Sequence, residues 1–538
     1  MFRSPAPLLL AVFVYLALAL SLAHTKTPWC DEGWFANPAF NLAFRGNMGT
    51  SVLEPSGFHL NAYFRGIRDR TYLFPPNHLA ALGAWFRLFG ASVMTMRAYS
   101  ICWGALSLAV LFYLLTRFFP DRHVAVAGTL LTSINFVFLW STADGRPEAS
   151  ANALALCAAA AYLYFRAKDF SKAVVFSQIL GACAVFAHPN AVIVILAVVV
   201  IAWRYDRARF RVRHLAFAAA PYLFYAGIWV LYILQGPGDF FAQFLTHAAG
   251  HNSERVSRLF RPDIAIWLEF VRYFAAYAMG NPWSGVMRGW MAIIPFLYLP
   301  AIFWFLSSAR NGFGQSARMF SLYAVVVVLG MTFLNAFKAY FYLVYLIPVL
   351  NAILAVWLVH LWDRGLPAKS LAATTALAFV GFQLAISILH IQSDEYHRDY
   401  QPTIQDLARY RGEGKSIVGT AALGLGLDFS GFKDDVRLGM YSGLNPNILV
   451  MDRSYRHFAG LFEKDEPQVF HHIVETLSQR YRLTAQHGSF WIFERLPSGT
   501  APWIDFSNVD SIETSKRAEY FFRLLFATAK MRDPEESL

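Results

Sequence analysis

The chain has 538 residues, of which 57% are hydrophobic, 17% aromatic and only 15% charged. Soluble globular proteins carry about 25% charged residues, so this composition excludes an ordinary soluble enzyme and indicates a membrane protein. The net charge of +11 is uneven, because residues 1–389 carry 29 Lys and Arg against 14 Asp and Glu, whereas residues 390–538 carry 17 against 21. The basic residues are scattered between apolar runs, which argues against a nucleic-acid-binding protein.

Apolar runs of roughly spanning length recur along the first 391 residues. The first, Pro7 to Ala23, could be a cleaved signal peptide, but we interpret it as an uncleaved span because many more follow. The candidate spans lie near residues 7–23, 99–115, 124–140, 149–165, 173–187, 191–203, 215–234, 290–306, 320–337, 340–362 and 371–391. The sequence therefore predicts an α-helical polytopic membrane protein with about 11 transmembrane helices.

The short segments between these runs differ sharply in positive charge. If the N-terminus is cytoplasmic, the inner segments carry 15 Lys and Arg, whereas the short outer segments carry only Arg146 and Lys338. Positive residues favour the cytoplasmic side of a membrane. Together with the few cysteines and the generally compact loops, this asymmetry predicts a bacterial inner membrane protein. It places the three largest regions outside the membrane spans on the periplasmic side.

Three larger regions are predicted on that outer side. The first, about 24–98, contains an amphipathic stretch from His78 to Gly90 that suits the membrane interface. The second, about 235–289, contains another from Asp263 to Gly280. The third, residues 392–538, mixes β-like runs with the helical stretch PQVFHHIVETLSQRY and predicts a small α/β domain, with residues 500–538 loosely held.

Acidic residues of the membrane half gather at the outer ends of spans. Asp31 and Glu32 lie in WCDEGWF, and Asp144 and Glu148 lie in ADGRPE. Ionisable groups at membrane depth are costly and tend to be functional, although a single acid just outside a span is often only solvated. Attack on an activated sugar needs a carboxylate to deprotonate a hydroxyl or amine acceptor and cations to hold a lipid phosphate.

Five stretches, in order, resemble the membrane-embedded, polyprenyl-phosphate-dependent glycosyltransferases of the GT-C fold. These stretches are WCDEGWF, LFPPNHLAALGAWFRLFG, MRAYSICWGALSLAVLFYLL, STADGRPEASANALAL and AFKAYFYLVYLIPVLNAIL. The resemblance is strongest to bacterial relatives of protein O-mannosyltransferases and of lipid A aminoarabinose transferases, and it covers about residues 1–365. It implies a GT-C type membrane domain over residues 1–391, followed by a soluble extracytoplasmic domain over residues 392–538.

The resemblance also implies roles for the acidic residues. Asp31 would be the catalytic base that activates the acceptor. Glu32 would support Asp31 or orient the acceptor, and Asp144 would be a second acid near the site. Arg146 and Glu148 would form a local pair or touch the lipid headgroup. The same two residues also suit an ordinary helix start, because a proline and an acid favour the first turn.

By the same resemblance, Lys338, Tyr340 and Tyr342 would contact the lipid phosphate, although Lys338 would also suit a membrane-surface anchor. The sequence departs from the family where Asn77 and His78 follow the Pro-Pro pair. His78 would meet the sugar or cap the interfacial helix. Some relatives use a divalent metal, but the chain has no HxH or DxD motif that would demand one.

The function expected from the resemblance is inverting transfer of a sugar from a polyprenyl-phosphate donor to a glycolipid, polysaccharide or protein acceptor on the outer face. A polytopic lipid or sugar transporter or flippase remains an alternative. Acids are nearly absent from span centres and no internal repeat is evident, which argues against it. A third alternative is a non-catalytic scaffold whose acidic tail binds a partner.

Overall fold

The computed structural model describes residues 5–57, 64–74, 76–245, 260–278, 293–309, 314–335, 337–501, 503–504 and 509–530. The first proline of the Pro-Pro pair lies outside the described residues. So do residues 246–259 and 279–289 of the second predicted outer region, including the last two residues of its amphipathic stretch.

Helices lie within every apolar run that the sequence predicts as a span. In chain order, the helices of the described residues up to 393 are α1 (Ala6–Thr25), α2 (Cys30–Arg45), α3 (Pro76–Phe89), α4 (Val93–Phe118), α5 (Arg122–Ser133), α6 (Phe136–Thr142), α7 (Pro147–Phe165), α8 (Phe170–Ala187), α9 (Ala191–Asp206), α10 (Val212–Ile233), α11 (Pro262–Ala278), α12 (Ile293–Ala309), α13 (Gln315–Phe333), α14 (Ile347–Trp362) and α15 (Leu366–Ser393). A short turn of helix, Pro237–Phe240, follows α10, and a 3₁₀ segment, Tyr340–Tyr345, precedes α14.

The prediction of an α-helical, multi-pass membrane protein is confirmed. By length and composition, six helices of the described residues can cross a membrane, or up to seven if α5 and α6 form one bent span. The predicted number of eleven spans is not confirmed. Several of the other apolar helices are simply shorter, such as α14 with 16 residues, against the roughly 20 that a straight span needs.

The bend between α5 and α6, at 62°, is stabilised by buried polar side chains. The Asn135 side chain accepts a hydrogen bond from the Phe138 backbone N–H at 3.1 Å, and Gln383 Oε1 accepts one from the Phe136 N–H at 2.7 Å. An unpaired backbone group in an apolar bundle would be costly, so these amides allow the chain to break its helix there. The break sends α6 towards Asp144.

The outer region after α1 is more helical than predicted. The stretch from His78 to Gly90, predicted to be amphipathic, lies largely in helix α3, and the stretch beginning at Asp263 forms α11. Helix α2, which carries Asp31 and Glu32, was not predicted. Its polar residues and an internal proline, Pro38, hide the apolar periodicity that sequence reasoning depends on.

The C-terminal region is a mixed α/β structure, as predicted. It contains α16 (Gln401–Gly412), β1 (Ile417–Val418), β2 (Phe432–Lys433), β3 (Ile448–Met451), α17 (Arg453–Asp465), α18 (Pro467–Glu475), β4 (Tyr481–His487), β5 (Phe490–Arg495) and α19 (Arg517–Lys530). The strands form one sheet in the order β2-β1-β3-β5-β4, with β1 parallel to both neighbours and β5 antiparallel to both of its own.

The expectation that residues 500–538 are loosely held is wrong for α19. Phe521 and Leu525 of this helix are fully buried in the core of the C-terminal region. An amphipathic helix whose apolar face is covered in this way is held by the hydrophobic effect. Residues 502, 505–508 and 531–538 lie outside the described residues.

The C-terminal region packs directly on α2. Asp434 accepts hydrogen bonds from Trp34 Nε1 at 3.0 Å, from the Ala421 backbone N–H at 2.9 Å and from the Tyr455 hydroxyl at 2.9 Å. Gly33 is required at this contact, because a Cβ there would overlap the carbonyl oxygen of Ala421. The helix that follows α1 is therefore fixed from both sides, by the bundle and by the C-terminal region.

Candidate active site

Asp31 and Glu32 lie in the first turn of α2, where the helix dipole favours negative charge. Glu32 is buried and forms a bidentate ion pair with Arg97 of α4, with Nε–Oε1 and Nη2–Oε2 distances of 2.8 and 2.9 Å. Arg97 Nη1 also donates to the carbonyl oxygens of Ala23 and Lys26, at 2.6 and 2.7 Å. Arg97 therefore ties α1, α2 and α4 together at one point.

Glu32 remains ionised in this setting. Burial alone would raise its pKa, but the Arg97 guanidinium outweighs burial and lowers the pKa of Glu32. A carboxylate whose two oxygens are both held by a buried arginine is a poor proton acceptor. The position suits a supporting role for Glu32 better than a direct role in proton transfer.

Asp144 lies between α6 and α7, where it is fully buried beside Lys26. Lys26 Nζ donates a hydrogen bond to Asp144 Oδ1 and lies 4.2 Å from the centre of the Trp140 ring. Burial raises the pKa of Asp144 to about 6 and lowers the pKa of Lys26. Asp144 Oδ2 has no hydrogen-bond partner among the described residues, so this oxygen can still accept a proton or a hydrogen bond.

Asp31 is joined to Arg146 and, through it, to Glu148. Arg146 Nη1 donates to Asp31 Oδ2, whereas Nη2 and Nε contact the two Glu148 oxygens at 2.7 and 3.2 Å. The side chain of Asp31 is 21% exposed, against 4% for Arg146 and 1% for Glu148. Asp31 is thus the most accessible carboxylate of this chain of ion pairs. Burial raises the pKa of Asp31, even though Arg146 opposes the shift.

The Arg146 guanidinium is also enclosed by aromatic rings. Its central carbon lies 3.6 Å from the centre of the Phe341 ring and 5.2 Å from that of Trp29. Aromatic faces stabilise a cation while leaving its N–H groups directed at acceptors. These rings surround the predicted pair of Arg146 with Glu148, which is present and extends to Asp31.

His78 and His188 lie on the Glu148 side of the cluster. His188 Nε2 is 3.6 Å from Glu148 Oε1. Neither ring nitrogen of His78 has a hydrogen-bond partner among the described residues. The His78 side chain therefore caps no described backbone group of α3. Burial lowers the pKa of His78 to about 3 and that of His188 to about 4, so both imidazoles are neutral at pH 7.

Tyr340 and Tyr342 lie on the 3₁₀ segment beside this cluster. Trp140 Nε1 donates to the Tyr340 hydroxyl at 3.3 Å, and the ring centre of Tyr342 is 5.2 Å from that of His188. Tyr340 therefore lies on the side of Lys26, whose ammonium contacts the same Trp140, and Tyr342 lies on the side of His188. The predicted aromatic residues and the acidic residues thus converge.

Lys338 lies in an adjacent group. Its ammonium donates to Glu269 Oε2 at 2.8 Å and to the carbonyl oxygens of Met331 and Thr332 at 2.6 and 2.7 Å. Glu269 is shared with Arg272, whose buried Nε has no hydrogen-bond partner among the described residues. Lys338 is only 8% exposed, which does not suit a side chain that anchors the protein at the membrane surface.

Sequence reasoning missed five residues of these groups: Lys26, Arg97, His188, Glu269 and Arg272. Arg97 and Lys26 carried a weak signal, because each is a cation beside an apolar run on the side where positive charge is scarce. His188 stood in the HPN break between two candidate spans. No pattern in the sequence identified their partners, which are 65 to 118 residues away for Arg97 and Lys26.

No family model and no curated protein matches this sequence. Solved structures do match its fold. ArnT from Cupriavidus metallidurans bound to undecaprenyl phosphate superposes with a TM-score of 0.55 at 13% identity, over 93% of this chain and 100% of that one. The chain has the GT-C fold.

An archaeal protein supports the same fold. The Archaeoglobus fulgidus oligosaccharyltransferase in complex with Zn and sulfate superposes with a TM-score of 0.53 at 12% identity, over 92% of this chain and 74% of that one. The structure of AglB from the same organism, with an inhibitory peptide and a dolichol-phosphate, gives 0.51 at 12% identity, over 93% and 75%. The GT-C architecture inferred from the order of sequence motifs is therefore confirmed.

Proposed function

We propose that this chain is a membrane glycosyltransferase that moves a sugar from a polyprenyl-phosphate donor to an acceptor with inversion at the anomeric carbon. The observation that carries the proposal is Asp31. In a GT-C fold, it is a partly exposed carboxylate with a raised pKa at the end of a buried chain of ion pairs. Such a group can accept a proton from an acceptor hydroxyl or amine.

The reaction follows from that position. Asp31 takes the proton as the acceptor oxygen or nitrogen forms its bond to the anomeric carbon. The bond from that carbon to the phosphate oxygen breaks, and the polyprenyl phosphate leaves on the opposite face, which inverts the configuration. Arg146 holds Asp31 ionised and oriented, and Glu148 in turn holds Arg146.

The leaving phosphate needs cations nearby. Among the described residues, Lys338 and Arg272 provide two positive charges that share one carboxylate, Glu269, and the buried Arg272 Nε has no hydrogen-bond partner there. We assign the donor phosphate to this pair, with Tyr340 and Tyr342 between it and Asp31. A buried cation pair would stabilise the charge that develops on the phosphate oxygen as the bond breaks.

A metal-dependent mechanism is not assigned. No group of three His, Cys, Asp or Glu side chains within the described ranges has an arrangement that would hold a metal ion. We place the acceptor on the side of the membrane where Asp31 lies, because Asp31 is the most accessible carboxylate of the chain of ion pairs. By the charge asymmetry of the loops, this side is the periplasmic face of an inner membrane.

The test compares Asp31→Asn with Asp69→Asn, which removes an exposed carboxylate from the same outer region. Purified full-length protein is incubated with a panel of undecaprenyl-phosphate-linked sugars and a total envelope extract as the acceptor source. Release of undecaprenyl phosphate is measured. Loss of a general base predicts a fall of about 100- to 10,000-fold for Asp31→Asn and no change for Asp69→Asn.

Two outcomes would contradict the proposal. An Asp31→Asn protein that releases undecaprenyl phosphate at the wild-type rate would remove Asp31 from the chemistry. Movement of the intact donor across a liposome membrane, without release of phosphate, would favour a flippase. Copurifying lipids, measured by mass spectrometry in the wild type and in Lys338→Gln, test the phosphate assignment separately.

A further inference from the structure

One end of the helix bundle lies far from the ion pairs of Asp31, Arg146 and Glu148, which we call the Asp31 cluster. Helices α7 and α9 both begin at that cluster, next to Arg146 and His188, and run away from it. With 19 residues, α7 is about 28 Å long at 1.5 Å per residue. The α7–α8 turn and the α9–α10 segment therefore lie at the opposite end of the bundle.

This distant end is strongly basic. Between residues 166 and 213 there are eight Lys and Arg against two carboxylates. We call these eight residues the basic corner: Arg166, Lys168, Lys172, Arg204, Arg207, Arg209, Arg211 and Arg213. Both carboxylates are already engaged, because Asp206 is buried against Arg166 at 2.9 Å and Asp169 accepts a hydrogen bond from the Lys172 backbone N–H at the start of α8.

Several cations of the basic corner are exposed and unpaired. Arg207, Arg211 and Arg213 are exposed, and they form no ion pair with any described residue. By contrast, Arg209 contributes to the local structure, because it donates to the Arg166 carbonyl and lies 3.6 Å from Asp206. The corner therefore has a fixed frame and a set of charges that no described carboxylate neutralises.

The basic corner continues into an apolar surface. The buried side chain of α10 is His214, at its basic end, and the rest of the helix is partly or fully exposed. Leu223 is 70% exposed and Leu231 is 67% exposed, on the flank that leads away from the corner. A soluble anion would match the charges but not this apolar face, whereas a lipid has both an anionic headgroup and acyl chains.

We propose that the basic corner binds the headgroup of an anionic phospholipid whose acyl chains lie along α10. The site is distinct from the Asp31 cluster and does not depend on the proposed glycosyl transfer. Its ligand is a phosphodiester of the membrane in which the protein is embedded, bound by guanidinium groups that suit phosphate oxygens.

The experiment titrates purified full-length protein in detergent with dioleoylphosphatidylglycerol or dioleoylphosphatidylcholine and measures bound lipid by native mass spectrometry. The test variant combines Arg207→Gln, Arg211→Gln and Arg213→Gln. The matched control combines Arg117→Gln, Arg364→Gln and Lys369→Gln, which removes three exposed cations from other segments at the same end of the bundle.

The wild type and the control are expected to bind phosphatidylglycerol in preference to phosphatidylcholine. The test variant should lose about 100-fold in affinity at low ionic strength, because each basic residue near an anionic headgroup contributes roughly a fivefold factor. Equal phosphatidylglycerol binding by the test variant and the wild type would overturn the proposal. So would equal binding of the two lipids, or displacement of phosphatidylglycerol by inorganic phosphate, which would indicate a site for a soluble anion.

Discussion

Replacing Arg97 by methionine should destabilise the protein strongly. The guanidinium donates to both oxygens of Glu32 and to the backbone carbonyls of Ala23 and Lys26, and it is fully buried. Methionine fills a similar volume but offers no donor. The substitution therefore leaves a buried carboxylate without its bidentate partner, next to two unpaired carbonyl groups.

The magnitude follows from the chemistry of that group. Removing one partner of a buried ion pair costs about 3–5 kcal/mol, because the remaining charge is left uncompensated. Lys26 still attracts Glu32, and protonation of Glu32 offers a partial escape, so we expect the lower part of this range. Exchanging both partners removes the unpaired charge, so the double variant Arg97→Met, Glu32→Gln should recover part of the loss.

The assay is thermal unfolding of the purified protein in detergent, followed by tryptophan fluorescence. Arg97→Met should lower the apparent Tm by several degrees, and the double variant should lie between it and the wild type. The control is Arg87→Met in α3, an exposed arginine whose loss should change stability by less than about 0.5 kcal/mol. If Arg97→Met has the same apparent Tm as Arg87→Met, close to that of the wild type, the structural role given to the Arg97–Glu32 pair is refuted.

Three further predictions concern the elements around the site. Gly33→Ala should separate α2 from the C-terminal region, because its Cβ would overlap the Ala421 carbonyl; hydrogen exchange should then speed up at β2, whereas Gly227→Ala, with open space around it, should have no such effect. Burial raises the pKa of Asp434 to about 6, so the contribution of this residue to stability is present near pH 4 and is lost as the pH rises through 6. Subtracting the profile of Tm against pH of Asp434→Asn from that of the wild type should isolate this slope. Identical profiles for the two proteins would contradict the prediction. Asn135→Ala removes the acceptor of the Phe138 N–H, so it should lower stability by about 1–3 kcal/mol and lower the apparent Tm accordingly. Asn77→Ala on α3 serves as the comparison variant.

The helical membrane architecture could be predicted from the sequence because it depends on composition over short windows. A run such as α14, IPVLNAILAVWLVHLW, is apolar on every side, so it is a buried or membrane helix whatever it packs against. Strands β3 and β5 could also be predicted, because they lie in NILVM and SFWIFE, short runs rich in β-branched and aromatic residues, whereas β2 and β4 lie outside the β-like runs of the sequence.

The predicted site residues were partly brought together by the fold. Asp31, Arg146 and Glu148 form one connected chain, although Asp31 and Arg146 are separated by 115 residues. Lys338 lies in the neighbouring group with Glu269, and the roles of all these residues in transfer stay predictions. Sequence reasoning found the acids because carboxylates are rare in the membrane half. It did not find Arg97 or Lys26, because a cation next to a span usually lies in solvent.

By itself, the sequence determined that the chain is a multi-pass helical membrane protein with acidic residues at one end of its spans. Hydropathy and charge asymmetry are local sums, and no partner is needed to evaluate them. Only the tertiary structure decided that Glu32 is held by Arg97, that Asp144 is held by Lys26, and that Asp31 stays accessible. Those differences arise because each carboxylate meets a different cation and Asp31 is less buried than the other two, and burial depends on how distant helices pack.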